Sequence, residues 1–212
     1  MSELRAKILE SFIDSVSMNG KAPASVYAFC KEREISEEDF YKHFSNFSAL
    51  EKSIWSDLFT KVISVIESDP VFEEYNTREK YLAYCFTLIE HLKKNLSFYR
   101  ISSSERSLRN ALNHPSIKSQ KSAQSFFEGL VQLGIENDEI QTPGLLQKPV
   151  SKLFQFHNLF VVGYFLKDES EGFNDTDQAI EKSVRLLFDA IENSLLDSAI
   201  DFTKFIGKNV FA

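Results

Sequence analysis

Residues that interrupt helices are scarce in this chain, which has only 7 glycines and 5 prolines among 212 residues. Between these breakers, apolar residues recur at intervals of three and four, the spacing of one face of a helix. Leu4, Ile8, Phe12 and Val16 show this spacing near the N-terminus. No segment shows the alternation of apolar and polar residues that is typical of a strand. The sequence therefore predicts an all-α fold.

The same spacing predicts where the helices lie. A first helix is expected over 2–17, with Gly20 shortly after its end. The fourth helix is expected to begin near Asn46 or Ser48, and Ser48 and Glu51 have the spacing of a capping box. Pro70 is expected to stop that helix. The predicted helices after the first cover 25–30, 36–44, 48–66, 77–99, 104–113, 115–133, 148–166 and 175–196. One of the loops between them is expected over 134–144.

Composition places the chain among ordinary globular proteins, with 43% hydrophobic and 26% charged residues. A net charge of −7 argues against general affinity for nucleic acid or anionic membranes, although a regulator needs only a local basic patch.

Cys30 and Cys85 lack metal-ligand spacing and fall in apolar patterns, as buried thiols do. The N-terminus lacks the basic and apolar regions of a signal peptide. We therefore expect a cytoplasmic protein.

Catalytic machinery is not recognisable in the sequence. The four histidines, His43, His91, His114 and His157, are well separated. The sequence has no glycine-rich phosphate loop, zinc-ligand spacing or nucleophile elbow. It therefore predicts a protein that is not an enzyme and that has no metal site and no cofactor.

The segment 20–50 has the pattern of a helix-turn-helix. Ser25 begins a short helix, and Ser36 can cap a second one after a tight turn. The apolar residues that can turn inward on the second helix are Ile35, Phe40 and Phe44. Those that remain on its outer face are Tyr41, Lys42 and His43. Such an arrangement is typical of a helix that contacts DNA.

These residues resemble the DNA-binding domain of the tetracycline-repressor (TetR) family. Its signature is a Ser/Thr-Val start, a Val-Ser turn and an aromatic-Tyr-x-His-Phe run before a leucine, and Ser25-Val26, Ile35-Ser36 and 40–44 take these places here. The resemblance implies a helix-turn-helix head over 1–47 and a helical body over 48–212. It also implies a homodimer that binds operator DNA and an apolar small-molecule or lipid ligand. The residues it assigns to DNA binding are Ser25, Ser36, Tyr41, Lys42 and His43.

The head departs from the family pattern where DNA contact matters. Glu34 stands where most members have a turn glycine, and Phe47 stands where a lysine usually touches phosphate. The first turn of the second helix carries Glu37, Glu38 and Asp39, and residues 1–50 have a net charge of −2. The carboxylates can serve helix capping, since the helix dipole favours each by about 0.3–1 kcal/mol. A minority alternative is that Glu accepts a hydrogen bond from a cytosine amine.

The body carries large apolar side chains with a few polar tips, as a small-molecule pocket does. The candidate pocket residues are Tyr84, Phe126, His157, Phe160 and Tyr164. The family resemblance implies a dimer interface on the last two body helices, with Phe154, Leu159, Val162, Leu187 and Ile191 as candidates. Ordinary core packing competes with both interpretations, and for any single pocket residue it is the favoured one. His157 is the exception, because a polar ring in so apolar a helix must find a hydrogen-bond partner.

Two further segments resemble a lipid-binding coenzyme Q biosynthesis family that has the TetR fold without repressor function. Asp168, Ser170, Phe173 and Thr176 match a junction between its last two body helices. Capping by Asp175 or Thr176, with Phe173 as a hydrophobic staple, explains the same motif. The tail 196–211 can form a short amphipathic helix that packs on protein, or that makes membrane contact as the terminal helix of that family does.

Two functions follow as hypotheses. The first is a TetR-like, ligand-responsive transcriptional regulator that binds operator DNA as a dimer. The alternative is a TetR-fold lipid or isoprenoid-binding protein that has lost DNA binding. Glu34, Phe47 and the acidic second helix of the helix-turn-helix favour it.

Overall fold

A computed structural model describes residues 3–104, 121–140 and 147–192. Helices occupy most of these ranges, strands occur in none of them, and the predicted all-α fold is confirmed. The helices are α1 Glu3–Asn19, α2 Val26–Glu32, α3 Glu37–His43, α4 Phe47–Glu67, α5 Thr77–Lys93, α6 Leu96–Ser104, α7 Lys121–Glu136, α8 Gln147–Lys167 and α9 Asn174–Glu192. Two 3₁₀ turns, Pro70–Glu74 and Glu171–Phe173, lie between them.

The chain divides into two compact units. The first comprises 1–62 and 88–122, and the second comprises 63–87 and 123–212. Compactness does not test which residues carry which function. The functional boundary expected between residues 47 and 48 therefore stays a prediction.

An aromatic cluster forms the core of the first unit where α1, α2, α3 and the start of α4 meet. The ring centroid of Phe47 lies 5.1 Å from that of Phe12, 5.7 Å from that of Phe29 and 5.8 Å from that of Phe40. Each fully buried phenylalanine contributes roughly 1.5–3 kcal/mol of transfer free energy. This cluster holds the short helices α2 and α3, which are too short to be stable alone.

Of the two predicted starts of α4, the structure confirms Asn46 and not the capping box at Ser48. Asn46 is the residue that caps the helix, since its side-chain oxygen accepts a hydrogen bond from the Ala49 backbone at 2.8 Å. Glu51 is buried and accepts a hydrogen bond from the Ser102 hydroxyl instead. The Ser48–Glu51 prediction was wrong because a tertiary contact with α6 engages the carboxylate.

The second unit is built around a row of aromatic side chains on α5, α7, α8 and α9. Tyr81 packs edge-on against Phe154 at 4.7 Å, and Phe154 packs edge-on against Phe188 at 5.7 Å. Phe127 adds a stacked contact with Phe154 at 6.3 Å. Helices α8 and α9 pack against each other along this row. They are the two helices on which the dimer interface is expected.

Two predicted helix boundaries were wrong. The expected helix 77–99 is interrupted at 94–95, where the Asn95 amide bonds to the Leu92 carbonyl at 3.2 Å and α6 begins. Gly134 was expected to open a loop, but α7 continues through Glu136. A Cβ at Gly134 would lie 2.7 Å from the Cδ1 atom of Ile140, so this glycine permits a close contact and does not end the helix.

The motif before α9 caps that helix, as its capping explanation predicts. The residues that accept the hydrogen bonds are Asp168 and Ser170, not the expected caps Asp175 and Thr176. The Asp168 carboxylate accepts hydrogen bonds from the Thr176 amide at 2.9 Å and from the Thr176 hydroxyl at 2.5 Å. Ser170 accepts a bond from the Asp175 amide at 3.1 Å. The residues expected as caps are therefore donors. Phe173 is the predicted staple, since its ring lies 5.0 Å from that of Phe165.

Some expectations lie outside the described residues. They are the helix 104–113 beyond its first residue, the start of the helix 115–133, the end of the last helix and the amphipathic tail 196–211. Among the described helices, none combines the length and the apolar character that crossing a bilayer requires.

Candidate nucleic-acid interface and ligand site

The first helix of the candidate DNA-binding motif begins at Ser25. The backbone there is extended, and the Ser25 hydroxyl accepts a hydrogen bond from the Ala28 amide at 3.1 Å. Phe29 and Cys30 are the residues of α2 that are buried. Ser25 is itself exposed, and it therefore fixes where α2 starts while remaining accessible to a partner.

The turn between α2 and α3 adopts the backbone conformation that favours glycine. Glu34 has a φ of 53°, in the left-handed region. The Ile35 amide bonds to the Cys30 carbonyl at 2.9 Å, and the Arg33 amide bonds to the Phe29 carbonyl at 3.0 Å. This pattern is that of a helix C-terminus closed by a left-handed residue. The turn therefore has the shape that glycine would give it, and Glu34 holds it with backbone strain.

Helix α3 begins at Ser36, whose hydroxyl accepts a hydrogen bond from the Asp39 amide at 3.0 Å. Phe40 is fully buried and anchors the helix on the aromatic cluster. The outer face carries Tyr41, which is 53% exposed, and Lys42, which is exposed, while His43 is half-buried. Of the five residues expected to bind DNA, three therefore lie on α3 and two at the N-cap positions before α2 and α3.

The ammonium of Lys42 is engaged by the acidic residues of its own helix. It lies 3.0 Å from the Glu38 carboxylate and 3.1 Å from the Asp39 carboxylate. Hydrogen bonding to Glu38 and Asp39 raises the pKa of Lys42. Hydrogen bonds from Ser36 and Lys42 lower the pKa of Asp39. The basic group expected to meet phosphate is thus compensated by two carboxylates.

Phe47 explains one departure from the family pattern. Its ring belongs to the aromatic cluster, in contact with Phe12, Phe29 and Phe40. A lysine at this position would leave the cluster incomplete, and the phenylalanine removes a charge that could contact phosphate. The side chain at this position therefore serves packing of the head and carries no charge.

A directed chain of hydrogen bonds runs through the candidate ligand site in the second unit. The Ser183 hydroxyl donates to the Ala179 carbonyl at 2.5 Å, so its oxygen accepts from His157 Nε2 at 2.8 Å. His157 Nδ1 then accepts from the Tyr81 hydroxyl at 2.9 Å. Burial lowers the pKa of His157 to about 4, and the ring is neutral at neutral pH. Its expected need for hydrogen-bond partners is met on both nitrogens.

A second polar pair lies one helical turn further along α5. The Tyr84 hydroxyl donates to Asn158 Oδ1 at 3.2 Å, and both side chains are fully buried. Burial also raises the pKa of Tyr84 and raises the pKa of Cys85 to about 12, so both remain neutral. Within the described ranges, Asn158 Nδ2 has no hydrogen-bond partner. A buried amide donor without an acceptor costs about 1–3 kcal/mol, which a ligand acceptor would recover.

The candidate pocket residues form two contacting sets. Tyr84 is buried, donates to Asn158 and lies 5.2 Å from the half-buried ring of Phe126. The ring centroid of His157 lies 5.8 Å from that of Phe160. Phe160 and Tyr164 lie on the outer side of α8 and are 47% and 38% exposed. The sequence did not indicate that Tyr81 and Ser183 bond to His157, or that Asn158 pairs with Tyr84. Tyr81 and Asn158 could have been found from their helical spacing to Tyr84 and Phe154.

The dimer candidates also occupy different environments. Phe154, Val162 and Ile191 are buried inside the second unit, and Leu159 and Leu187 are half-buried. The large apolar side chains that α8 and α9 expose to solvent are Phe156, Phe160, Tyr164 and Leu186. We call this set the exposed apolar strip. Among the described residues, no group of His, Cys, Asp and Glu has the arrangement of a metal site.

Comparison with solved structures supports the same fold. A Syntrophomonas wolfei protein assigned to the TetR-family transcriptional regulators has a TM-score of 0.68 and 17% identity, over 88% of this chain and 95% of its own. A regulatory protein of the TetR family from Rhodococcus RHA1 gives 0.56 and 15%, over 90% and 98%. The dihydroxyacetone kinase operon activator DhaS gives 0.52 and 17%, over 89% and 96%.

The sequence itself matches a family model. No curated protein is matched by the chain. The family model described as "Tetracyclin repressor-like, C-terminal domain" matches residues 80–206, which is more than half of the sequence. The chain therefore belongs to the tetracycline-repressor (TetR) family of transcriptional regulators.

Proposed function

We propose that the protein regulates transcription by binding operator DNA through α2 and α3. The observation that carries this proposal is the capped pair of helices around the left-handed turn at Glu34, in a chain of the TetR family. The outer face of α3 offers a hydroxyl on Tyr41, an ammonium on Lys42 and an imidazole on His43. Groups of these kinds contact phosphates and base edges. The activity proposed is binding rather than catalysis, and it takes place in the cytoplasm.

The charge of α3 sets the expected strength of this binding. Lys42 must leave Glu38 and Asp39, or share their charge, before it can neutralise a phosphate. DNA affinity rests mainly on phosphate neutralisation and the release of counterions. We therefore expect modest affinity with a shallow dependence on salt.

A mobility-shift titration tests the proposal. The full chain is mixed at low salt with the DNA upstream of its own gene and with an unrelated duplex of the same length. Tyr41→Phe and Lys42→Ala should weaken binding to both duplexes by the same factor, because phosphate contacts position the protein without reading sequence. Absence of any shift with the wild-type protein would contradict the proposal.

We also propose that two copies associate through α8 and α9, covering the exposed apolar strip. Phe156, Phe160 and Tyr164 follow one another at intervals of four residues on α8, and the rings of Phe160 and Tyr164 lie 5.9 Å apart. An apolar strip of this kind on a helix face is typical of an interface. Phe160 and Tyr164 are therefore better placed for the partner subunit than for a pocket.

Light scattering coupled to size-exclusion chromatography tests the dimer. Phe160→Asp should give a monomer, since an aspartate would lose solvation on entering the interface. The matched control is Tyr27→Asp, which places the same charge at an aromatic residue that is 60% exposed on α2. A dimer that persists in Phe160→Asp would place the interface elsewhere.

The body is proposed to bind an apolar small molecule that carries a hydrogen-bond acceptor. Tyr84 donates a hydrogen bond to Asn158 and contacts the rings of Phe126 and Phe127. The Nδ2 atom of Asn158 has no partner in the described part of the chain. Such a ligand stabilises the native state by mass action. Native mass spectrometry of freshly purified protein should show a bound compound, and Asn158→Leu should remove it.

The alternative function is a TetR-fold lipid or isoprenoid binder without DNA. Glu37, Glu38 and Asp39 at the start of α3 favour it, as does the role of Phe47 in the core. The mobility-shift experiment distinguishes the two functions, because only a regulator should shift the DNA. Both functions predict a ligand in the body.

A further inference from the structure

The buried side-chain amide of Asn158 narrows the chemistry of the body ligand, provided that the proposed ligand binding holds. Asn158 is fully buried, and its Nδ2 atom has no hydrogen-bond partner within the described ranges. Native proteins rarely leave a buried polar group unpaired, and an unpaired one calls for an explanation. A ligand atom that accepts a hydrogen bond from Nδ2 supplies that explanation.

Tyr84 fixes which way the amide of Asn158 points. Its hydroxyl donates to Asn158 Oδ1 at 3.2 Å, and among the described residues Oδ1 is the acceptor of that proton. If the amide were turned over, Nδ2 would donate to the Tyr84 oxygen, but Oδ1 and the phenolic proton would then both lack a partner. The observed orientation leaves fewer groups of this pair unpaired. The open group is therefore an N–H donor, and the ligand atom that meets it must be an acceptor.

The titratable side chains connected to Asn158 are neutral at neutral pH. Tyr84 bonds to Asn158, and the ring of Tyr81 stacks on that of Tyr84 at 6.0 Å between centroids. His157 in turn accepts a hydrogen bond from Tyr81. Burial raises the pKa of both tyrosines and lowers the pKa of His157 to about 4. A carboxylate at Nδ2 would lose its hydration without a positive charge among these groups, which disfavours its binding.

Aromatic side chains pack on Tyr84 and can provide the apolar part of the site. The ring of Phe126 lies 5.2 Å from that of Tyr84, and the ring of Phe127 lies edge-on to it at 5.3 Å. Phe127 is fully buried, whereas Phe126 is half-buried and is the ring of this group that solvent reaches. Contacts with such rings favour an aromatic ligand. The side at Phe126 is therefore where a ligand can approach.

We propose that the body binds a neutral carbonyl compound, a ketone or an ester, whose oxygen accepts a hydrogen bond from Asn158 Nδ2. Its apolar part packs against the aromatic side chains on Tyr84, with entry beside Phe126. A carbonyl oxygen offers two lone pairs and carries no proton, so it satisfies the amide and leaves no donor of its own unpaired. A carboxylic acid ionises at neutral pH and is disfavoured. The site therefore selects against free fatty acids, in the regulator and in the lipid-binding alternative alike.

The test compares three probes of nearly the same shape. Acetophenone has the carbonyl group, α-methylstyrene has a methylene group in place of the carbonyl oxygen, and benzoate carries a negative charge. The full chain is titrated with each probe at neutral pH, and binding is followed by ligand-observed NMR. We expect saturable binding of acetophenone that is about tenfold tighter than that of α-methylstyrene, with benzoate weaker than acetophenone. Equal affinity for acetophenone and α-methylstyrene, tighter binding of benzoate, or no saturable binding of acetophenone would overturn the proposal.

Substitutions locate the binding. Asn158→Leu should reduce the affinity for acetophenone to that for α-methylstyrene, because the donor is removed. The matched control is Asn137→Leu, which makes the same change at an exposed position of the second unit and should keep the tenfold preference. Circular dichroism verifies folding, and if Asn158→Leu does not fold, Tyr84→Phe should still lower the preference by freeing the amide to turn over. A preference for acetophenone that persists in Asn158→Leu would contradict a carbonyl site at this residue.

Native mass spectrometry and the mobility shift test the proposed function separately from this chemistry. A compound found in the purified protein, together with equal affinities for acetophenone and α-methylstyrene, would retain the body ligand and overturn its contact with Asn158. No bound compound and no binding of any probe would contradict ligand binding by the body as a whole.

Discussion

The ammonium of Lys42 lies 3.0 Å from the carboxylate of Glu38, one turn before it on α3. Asp39 adds a second contact at 3.1 Å, so the exposed cation of the candidate recognition helix is held by its own helix. Solvent screens an exposed pair of this kind, so it contributes little. In the proposed complex, Lys42 would exchange Glu38 for a phosphate at small cost, and Glu38 would tune the affinity for DNA.

Glu38→Gln should raise affinity for DNA by about two- to fivefold, because it releases Lys42 and removes a negative charge facing the phosphates. The measurement is the dissociation constant from fluorescence anisotropy at low salt. The matched control is Glu10→Gln, which makes the same change of net charge at an exposed position on α1. Equal gains from both variants would mean that net charge, rather than the Lys42 contact, sets the affinity.

The strain at Glu34 gives a second prediction. A non-glycine residue in the left-handed region costs about 1–2 kcal/mol, and a glycine avoids this cost. The glycine also raises the conformational entropy of the unfolded chain, which offsets about 0.4–1 kcal/mol of the gain. Glu34→Gly should therefore stabilise the protein by about 0.5–1 kcal/mol and raise the melting temperature by about 1–4 °C. Calorimetry measures this shift.

Glu34→Ala is the control, since it removes the carboxylate and keeps the Cβ atom that causes the strain. An equal rise in melting temperature for Ala and Gly would attribute the gain to charge and refute the strain at this turn.

The head was largely predictable from sequence because its signals are local. Ser25 and Ser36 cap the helices that follow them, and the position expected to need a glycine does have a positive φ at Glu34. The capping box at Ser48 and Glu51 failed because Ser102, distant in sequence, binds the carboxylate. Pairings between distant residues leave no local pattern.

The helices of the body could be predicted from the sequence, but the arrangement of its candidate ligand site could be predicted only in part. Helical spacing cannot tell the inner from the outer face when both carry aromatic residues, and Phe126 and Phe160 therefore appeared equivalent. The interruption at 94–95 and the helical Gly134 depend on tertiary packing, which helix propensity does not record. The need of His157 for partners followed from its polarity, but Tyr81 and Ser183 as those partners required the fold.

A third prediction concerns pH and His157. Burial lowers the pKa of this histidine from 6.5 to about 4, so the unfolded chain binds a proton there that the native protein does not. The free energy of unfolding is therefore highest above pH 6.5. It falls by on the order of 3 kcal/mol as the pH drops from 6.5 towards 4.

His157→Gln should flatten this slope, because an amide does not titrate. Urea unfolding of both proteins between pH 7 and 5 measures it. Parallel pH profiles for the wild type and the variant would show that His157 titrates normally in the native protein.

A fourth prediction uses the junction before α9. Hydrogen bonds from Ser170 and Thr176 lower the pKa of Asp168 from 3.8 to about 2. Asp168→Asn should lower the melting temperature at neutral pH, and this deficit should disappear as the pH falls through 3.8 towards 2, where the wild-type carboxylate becomes protonated. The exposed neighbour provides the control, and Glu169→Gln should leave the melting temperature unchanged. A deficit that is the same at every pH would exclude ionisation of Asp168 as its cause.

The central claim is that α3 of this chain binds DNA despite its acidic first turn. Fluorescence anisotropy at low salt, with the duplex upstream of the protein's own gene and a scrambled duplex of the same composition, tests it most directly. We expect saturable binding that is tighter for the upstream duplex and is weakened by Lys42→Ala. No binding to either duplex, with a compound bound in the body, would contradict the claim and favour the lipid or isoprenoid binder.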